Sequence, residues 1–71
     1  MENVKIGNKL KELRILSALT QTDVANVLGC KRQTYTRYEN DQREVDLSTL
    51  CALADLFGVS TDYILGREDI Y

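Results

Sequence analysis

The chain has no histidine and no proline, one phenylalanine, and two cysteines, Cys30 and Cys51. Neither cysteine belongs to a CxxC pair, so without histidine the usual zinc ligand sets are excluded and no metal is expected. Both thiols read as small, buried apolar residues, reduced in a cytosolic chain. No apolar run is long enough to cross a membrane, and the start does not resemble a signal peptide, so a soluble, cytoplasmic chain is expected. No useful stretch alternates polar with apolar, which argues against strands. There is no glycine-rich phosphate loop and no nucleophile with an identifiable base, so no enzyme and no cofactor are expected. Low-complexity tracts and solenoid-period repeats are also missing. What remains, in 71 residues, is one small domain spanning 1–71, with a core from about 6 to 66 and a tail at 67–71.

Charge is scarce in net terms, at −2, but it is unevenly spread. Residues 1–43 carry eight cations against five acids, whereas residues 44–71 carry Arg67 against six acids. The first part therefore offers a basic face, and the second has a different role.

Helical periodicity is strong. Ile6, Leu10 and Leu13 fall at i, i+4 and i+7, giving an amphipathic first helix that ends near Ser17–Ala18. Thr20 is the expected cap of a second helix, with Asp23 in its first turn and Val24, Ala25 and Leu28 inward, stopped by Gly29. A third helix is expected from Lys31 or Arg32 to about Asn40, followed by a loop over 41–45. Asp46 caps a fourth, with Leu47, Leu50, Leu53, Ala54 and Phe57 inward and Gly58 as its stop, and Ser60 caps a short fifth through about Leu65. The second and third helices, joined by a tight glycine turn, form a helix-turn-helix whose second member is rich in cations and amides, an arrangement suited to DNA.

The segments "LTQTDVANVLGCKRQTYTRYEN" and "LSTLCALADLFGVSTDYILG" resemble the Cro/C1-type helix-turn-helix domain of phage repressors and small bacterial regulators. The resemblance covers about Ile6 to Gly66 and implies an all-α, five-helix, lambda-repressor-like domain acting as a small sequence-specific regulator. It implies that Arg32, Gln33, Thr36 and Arg37 meet base edges in the major groove. Arg suits guanine O6/N7, Gln suits adenine N6/N7, and the Thr methyl suits thymine. Gln21, Asn40 and Arg43 match positions that meet phosphates, and Lys31 and Lys9 are further phosphate candidates. Arg14 and Glu39 match an internal ion pair. Double-stranded operator DNA and a second copy of the chain are the implied partners.

Several residues depart from the family pattern. Lys31 stands where a capping Ser or Thr is common, so the third helix is expected to start poorly or one residue late. Asp41 replaces a common Gly and brings an anion toward the expected DNA backbone. Val45 stands near where proline is frequent, and Tyr35 replaces a smaller aliphatic, so only partial burial is expected for it. Ile15, Leu16, Ala52 and Leu56 are apolar where the family is often polar. Two readings stand for them: scattered surface apolars, or a protein-contact patch joined by Tyr63, Ile70 and Tyr71. The second reading, with the net acidity, supports a rival function: an anti-repressor that keeps the fold but binds a partner repressor protein.

Overall fold

Every regular element of the computed structural model, which describes residues 5–67, is helical: α1 (Gly7–Leu16), α2 (Gln21–Leu28), α3 (Arg32–Glu39), α4 (Leu47–Phe57) and α5 (Thr61–Ile64). The helix starts follow from side-chain chemistry. The Thr20 hydroxyl accepts the Asp23 N–H at 3.0 Å, and the Asp23 carboxylate accepts the Thr20 N–H at 2.9 Å, a reciprocal cap for α2. Asp46 accepts the Thr49 N–H at 3.2 Å to open α4, and Ser60 accepts the Tyr63 N–H at 3.0 Å to open α5. Lys31 supplies no such bond, and α3 begins at Arg32. Gly29 closes α2 at a φ of 72°, a left-handed angle that costs a glycine little, and lets the Cys30 N–H return to the Ala25 carbonyl at 3.0 Å.

α1 is capped differently. Ile6 precedes it and offers no capping atom. Its first N–H, from Gly7, is instead accepted by the Asp41 carboxylate at 3.0 Å, from beyond the end of α3. Asp41 reaches this point because it holds a left-handed φ of 58°. The anion expected to face a DNA backbone is thus engaged with α1.

Ile6, Leu10 and Leu13 from α1 and its start, Val24 and Ala25 from α2, Tyr35 and Tyr38 from α3, Leu50, Leu53 and Ala54 from α4, and Ile64 from α5 form one core. Each fully buried leucine, such as Leu10 or Leu53, contributes about 1.5–3 kcal/mol relative to exposure. Tyr35 and Tyr38 meet edge to face with ring centroids 6.4 Å apart.

Three expectations are corrected here. Tyr35 is fully buried, not partly, because its i+3 spacing from Tyr38 puts it squarely on the inward side of α3. Leu47 is 80% exposed, since the inward stripe of α4 runs through Leu50, Leu53 and Ala54. Cys51 is exposed for the same reason, four residues after Leu47 on the outer side of α4, while Cys30 is half-buried against the core. Among the described residues no helix is long and apolar enough to cross a membrane, and no cluster of potential metal ligands occurs.

Candidate nucleic-acid interface

α3 is sharply two-sided. Tyr35, Tyr38 and Glu39 are buried, whereas Arg32, Gln33 and Arg37 are exposed and Thr36 is half-buried. The four polar residues fall at i, i+1, i+4 and i+5, which aligns them as one stripe along the helix. Lys31 before the helix and Asn40 and Arg43 after it are also exposed, flanking the stripe at both ends. Lys9 is set apart. Its ammonium lies 4.4 Å from the centre of the Tyr63 ring, a cation–π contact that ties α1 to α5.

The buried end of α3 is organised by one carboxylate. Arg14 donates to Glu39 through Nε at 2.6 Å and Nη2 at 3.3 Å, and Gln21 Nε2 donates to Glu39 Oε1 at 3.1 Å. Arg14 Nη1 also donates to the Leu19 carbonyl at 3.0 Å, fixing the turn between α1 and α2. The Gln21 carbonyl oxygen accepts from the Thr36 hydroxyl at 3.0 Å. Beside this network the Tyr35 hydroxyl is buried with no acceptor in hydrogen-bonding geometry, although it lies close enough to Glu39 and Arg14 to feel their charges. Burial above all pushes its titration upward, so it remains a neutral phenol.

Burial alone would raise the Glu39 carboxyl, but the hydrogen bonds from Arg14 and Gln21 outweigh it and hold the group below the ordinary glutamate range. A lowered folded value means that the stabilisation is whole above about pH 4.3, the unfolded value, and is lost as pH falls through the folded one. Asp23 and Asp46 are held low by their cap hydrogen bonds from Thr20 and Thr49 and act in the same direction. Subtracting the acid-unfolding curve of Glu39→Gln from that of the unaltered protein should therefore leave a loss confined to pH below about 4.3. A difference that is flat through that range would remove Glu39 from the acid response.

Glu39 and Asp41 are the anions next to the cationic stripe in sequence. One is paired with Arg14, and the other accepts from the start of α1. The outward face of α3 thus keeps its positive character despite the net charge of −2. Of the apolar candidates for a contact patch, Ile15 and Leu16 are exposed at 59% and 72%, joined by Val27 at 60%. Leu56 and Tyr63 instead pack partly against the core, and Ala52 is half-buried. Ile70 and Tyr71 lie outside the described residues.

Sequence reasoning missed two features of this region. One is the double engagement of the Gln21 amide, which joins residues 18 and 15 positions apart and leaves no local pattern. The other is Gly7, where an added Cβ would stand 2.1 Å from the Glu39 carbonyl oxygen. A glycine inside the first turn of a predicted helix was the available signal.

A family model described as helix-turn-helix matches residues 10–64. The HTH-type transcriptional regulator ImmR of Bacillus subtilis (strain 168) is 37% identical over 67 residues, covering 94% of this chain and 53% of that protein. The SPbeta prophage-derived uncharacterized HTH-type transcriptional regulator YonR of the same organism is 42% identical over 59 residues, covering 83% of this chain and 55% of that protein. The chain thus spans about half the length of these relatives. Among solved structures, the restriction-modification controller protein C.AhdI from Aeromonas hydrophila superposes with a TM-score of 0.78 at 31% identity, covering 86% of this chain and 92% of that one. Five helices in this order, a glycine-closed turn before a two-sided third helix, and these similarities together place the chain in the helix-turn-helix family.

Proposed function

We propose that this chain is a sequence-specific DNA-binding transcriptional regulator of the phage-repressor kind, which lays α3 in the major groove of its operator. The observation that carries the reading is the two-sidedness of α3. Its inner side is locked by Tyr35, Tyr38 and Glu39, while Arg32, Gln33, Thr36 and Arg37 form one outward stripe. Arginine and glutamine are the side chains able to bond two base-edge atoms at once. Lys31, Asn40 and Arg43 at the ends of α3 meet phosphates, as does the start of α2 at Gln21, and these contacts set register without reading sequence. Lys9 adds a more distant phosphate contact from the side of α1.

The regulator works in the cytoplasm, where its DNA is, and as a homodimer on a near-palindromic site. Two copies then present two α3 helices to half-sites about one helical turn, roughly 34–36 Å, apart. The names of ImmR and YonR, both transcriptional regulators, support this reading over capture of a partner repressor.

The test is selection of bound duplexes from a random DNA pool, followed by affinity measurements across a salt series. A single enriched motif is expected, with log affinity falling linearly against log salt. Arg32→Ala should weaken binding to that motif by roughly tenfold or more and relax the preference at one base position. Lys31→Ala should weaken all sequences alike and lower the salt slope by about one. No enrichment, or affinity indifferent to salt, would remove DNA from the function.

A further inference from the structure

We propose that Gln21 is a positioning residue: its side chain sets how α3 sits on α2, and thereby how Arg32, Gln33 and Arg37 are offered to the bases. The inference rests on the reading of α3 as the DNA-reading helix, and it assigns the Gln21 side chain to the protein rather than to a phosphate.

The geometry is specific at both ends of the amide. Nε2 donates to Glu39 Oε1 at 3.1 Å, and the carbonyl oxygen accepts from Thr36 Oγ1 at 3.0 Å. An ionised carboxylate only accepts, and Glu39 is kept ionised by Arg14 at 2.6 Å. Turning the amide over would set oxygen against oxygen, so one orientation is imposed. Thr36 and Glu39 are three residues apart and neighbours on the α3 surface. A single side chain at the first position of α2 therefore grips nearly one turn of α3. The same Thr36 hydroxyl lies 2.9 Å from the Arg32 carbonyl four residues back, so its single proton is shared between that carbonyl and the Gln21 oxygen. The anchor itself is held from α1, because Arg14 bonds Glu39 and the Leu19 carbonyl together.

Each end of the Gln21 amide thus has a partner inside the protein, using one of its two Nε2–H groups and one lone pair of its oxygen. In this reading a phosphate at the start of α2 is met by the backbone. The cap bond uses the Asp23 N–H. The N–H groups of Gln21 and Thr22 precede the first intrahelical bond and point out of the helix end.

The experiment separates a grip on α3 from a hand on the DNA. Gln21→Ala, with Gln21→Met as the variant that keeps side-chain length, is measured on the selected motif, on scrambled duplex, and on motif duplexes carrying a neutral methylphosphonate at each phosphate in turn. We expect non-specific affinity to stay within about twofold, because phosphate contacts supply it. The ratio of specific to non-specific affinity should fall about tenfold, the scale of one mismatched base pair. Each methylphosphonate should still weaken the variant as it weakens the unaltered protein. Equal losses on both duplexes, with one methylphosphonate no longer felt, would make Gln21 a direct phosphate contact and overturn the proposal. In the free protein, residual dipolar couplings of backbone amides should report a changed orientation of α3 against α2 in both variants. An unchanged orientation would overturn the proposal without reference to DNA. If the unaltered protein selects no motif, it is the DNA-binding reading that fails, and the free-protein couplings still decide the role of Gln21.

Discussion

Alanine at position 7 should destabilise the protein by about 3 kcal/mol, at the upper end of ordinary overpacking, and lower its melting temperature by roughly 12–24 °C for a domain of this size. Helix propensity alone predicts the reverse. Gly7 lies in the first turn of α1, and alanine is a better helix former than glycine by about 1 kcal/mol. What decides the sign is contact across the fold. A Cβ there would approach the Glu39 carbonyl oxygen to 2.1 Å and its carbonyl carbon to 2.7 Å. Those atoms are backbone near the end of α3, so no rotamer change relieves them, and α1 must back away from α3. The same movement would pull the Gly7 N–H off Asp41. Thermal unfolding of Gly7→Ala checks this directly. A melting temperature equal to or above that of the unaltered protein would mean that α1 does not press on α3 as described.

The second large effect is expected at the Arg14–Glu39 pair. Glu39→Ala should cost about 3 kcal/mol, the low end for breaking a buried pair, because the Arg14 side chain keeps 13% exposure and can recover some water. The substitution removes the acceptor for Arg14 Nε, Arg14 Nη2 and Gln21 Nε2 together. Arg14→Ala should be at least as damaging, since Glu39, only 2% exposed, would keep its charge while losing both bonds from Arg14 and retaining the one from Gln21. Replacing both by apolar residues, Arg14→Met with Glu39→Leu, should be milder than either single alanine change, because no charge is then stranded. Urea denaturation of the three variants provides the comparison. If the double replacement is the worst of the three, the pair contributes net stability beyond mutual neutralisation.

How much of this was legible in the sequence depended on the range of the interaction. The starts of α2, α4 and α5 were readable because Thr20, Asp46 and Ser60 each act within three residues, and Gly29 and Gly58 announced the stops. The inward faces of α1 and α3 were readable from spacing. α4 was read with one residue too many on its inward side, Leu47, because an apolar residue at a helix start fits the period whether or not the core reaches it. Cys51 was misread for a related reason: cysteine's general preference for burial was applied to a position on the outer side of the same helix. The outward stripe of α3 emerged because a helix carrying Tyr35 and Tyr38 on one side leaves its cations on the other. Hidden from the sequence were contacts whose partners are far apart along the chain: the Gln21 amide, the closeness of Gly7 to Glu39, and the direction in which Asp41 points.

That last contact bears on how the molecule assembles. The Gly7–Asp41 hydrogen bond links positions separated by 34 residues. During synthesis α1 emerges first, yet the group that closes its amino end comes only after α3 is complete. An early α1 segment therefore lacks this terminal hydrogen bond until the chain beyond α3 is present. The start of α1 and the segment that follows α3 are thus tied by a contact that neither makes alone. A chain interrupted before Asp41 would carry α1, α2 and α3 in sequence, with Arg14 and Glu39 both present, but would lack the carboxylate that accepts the Gly7 N–H.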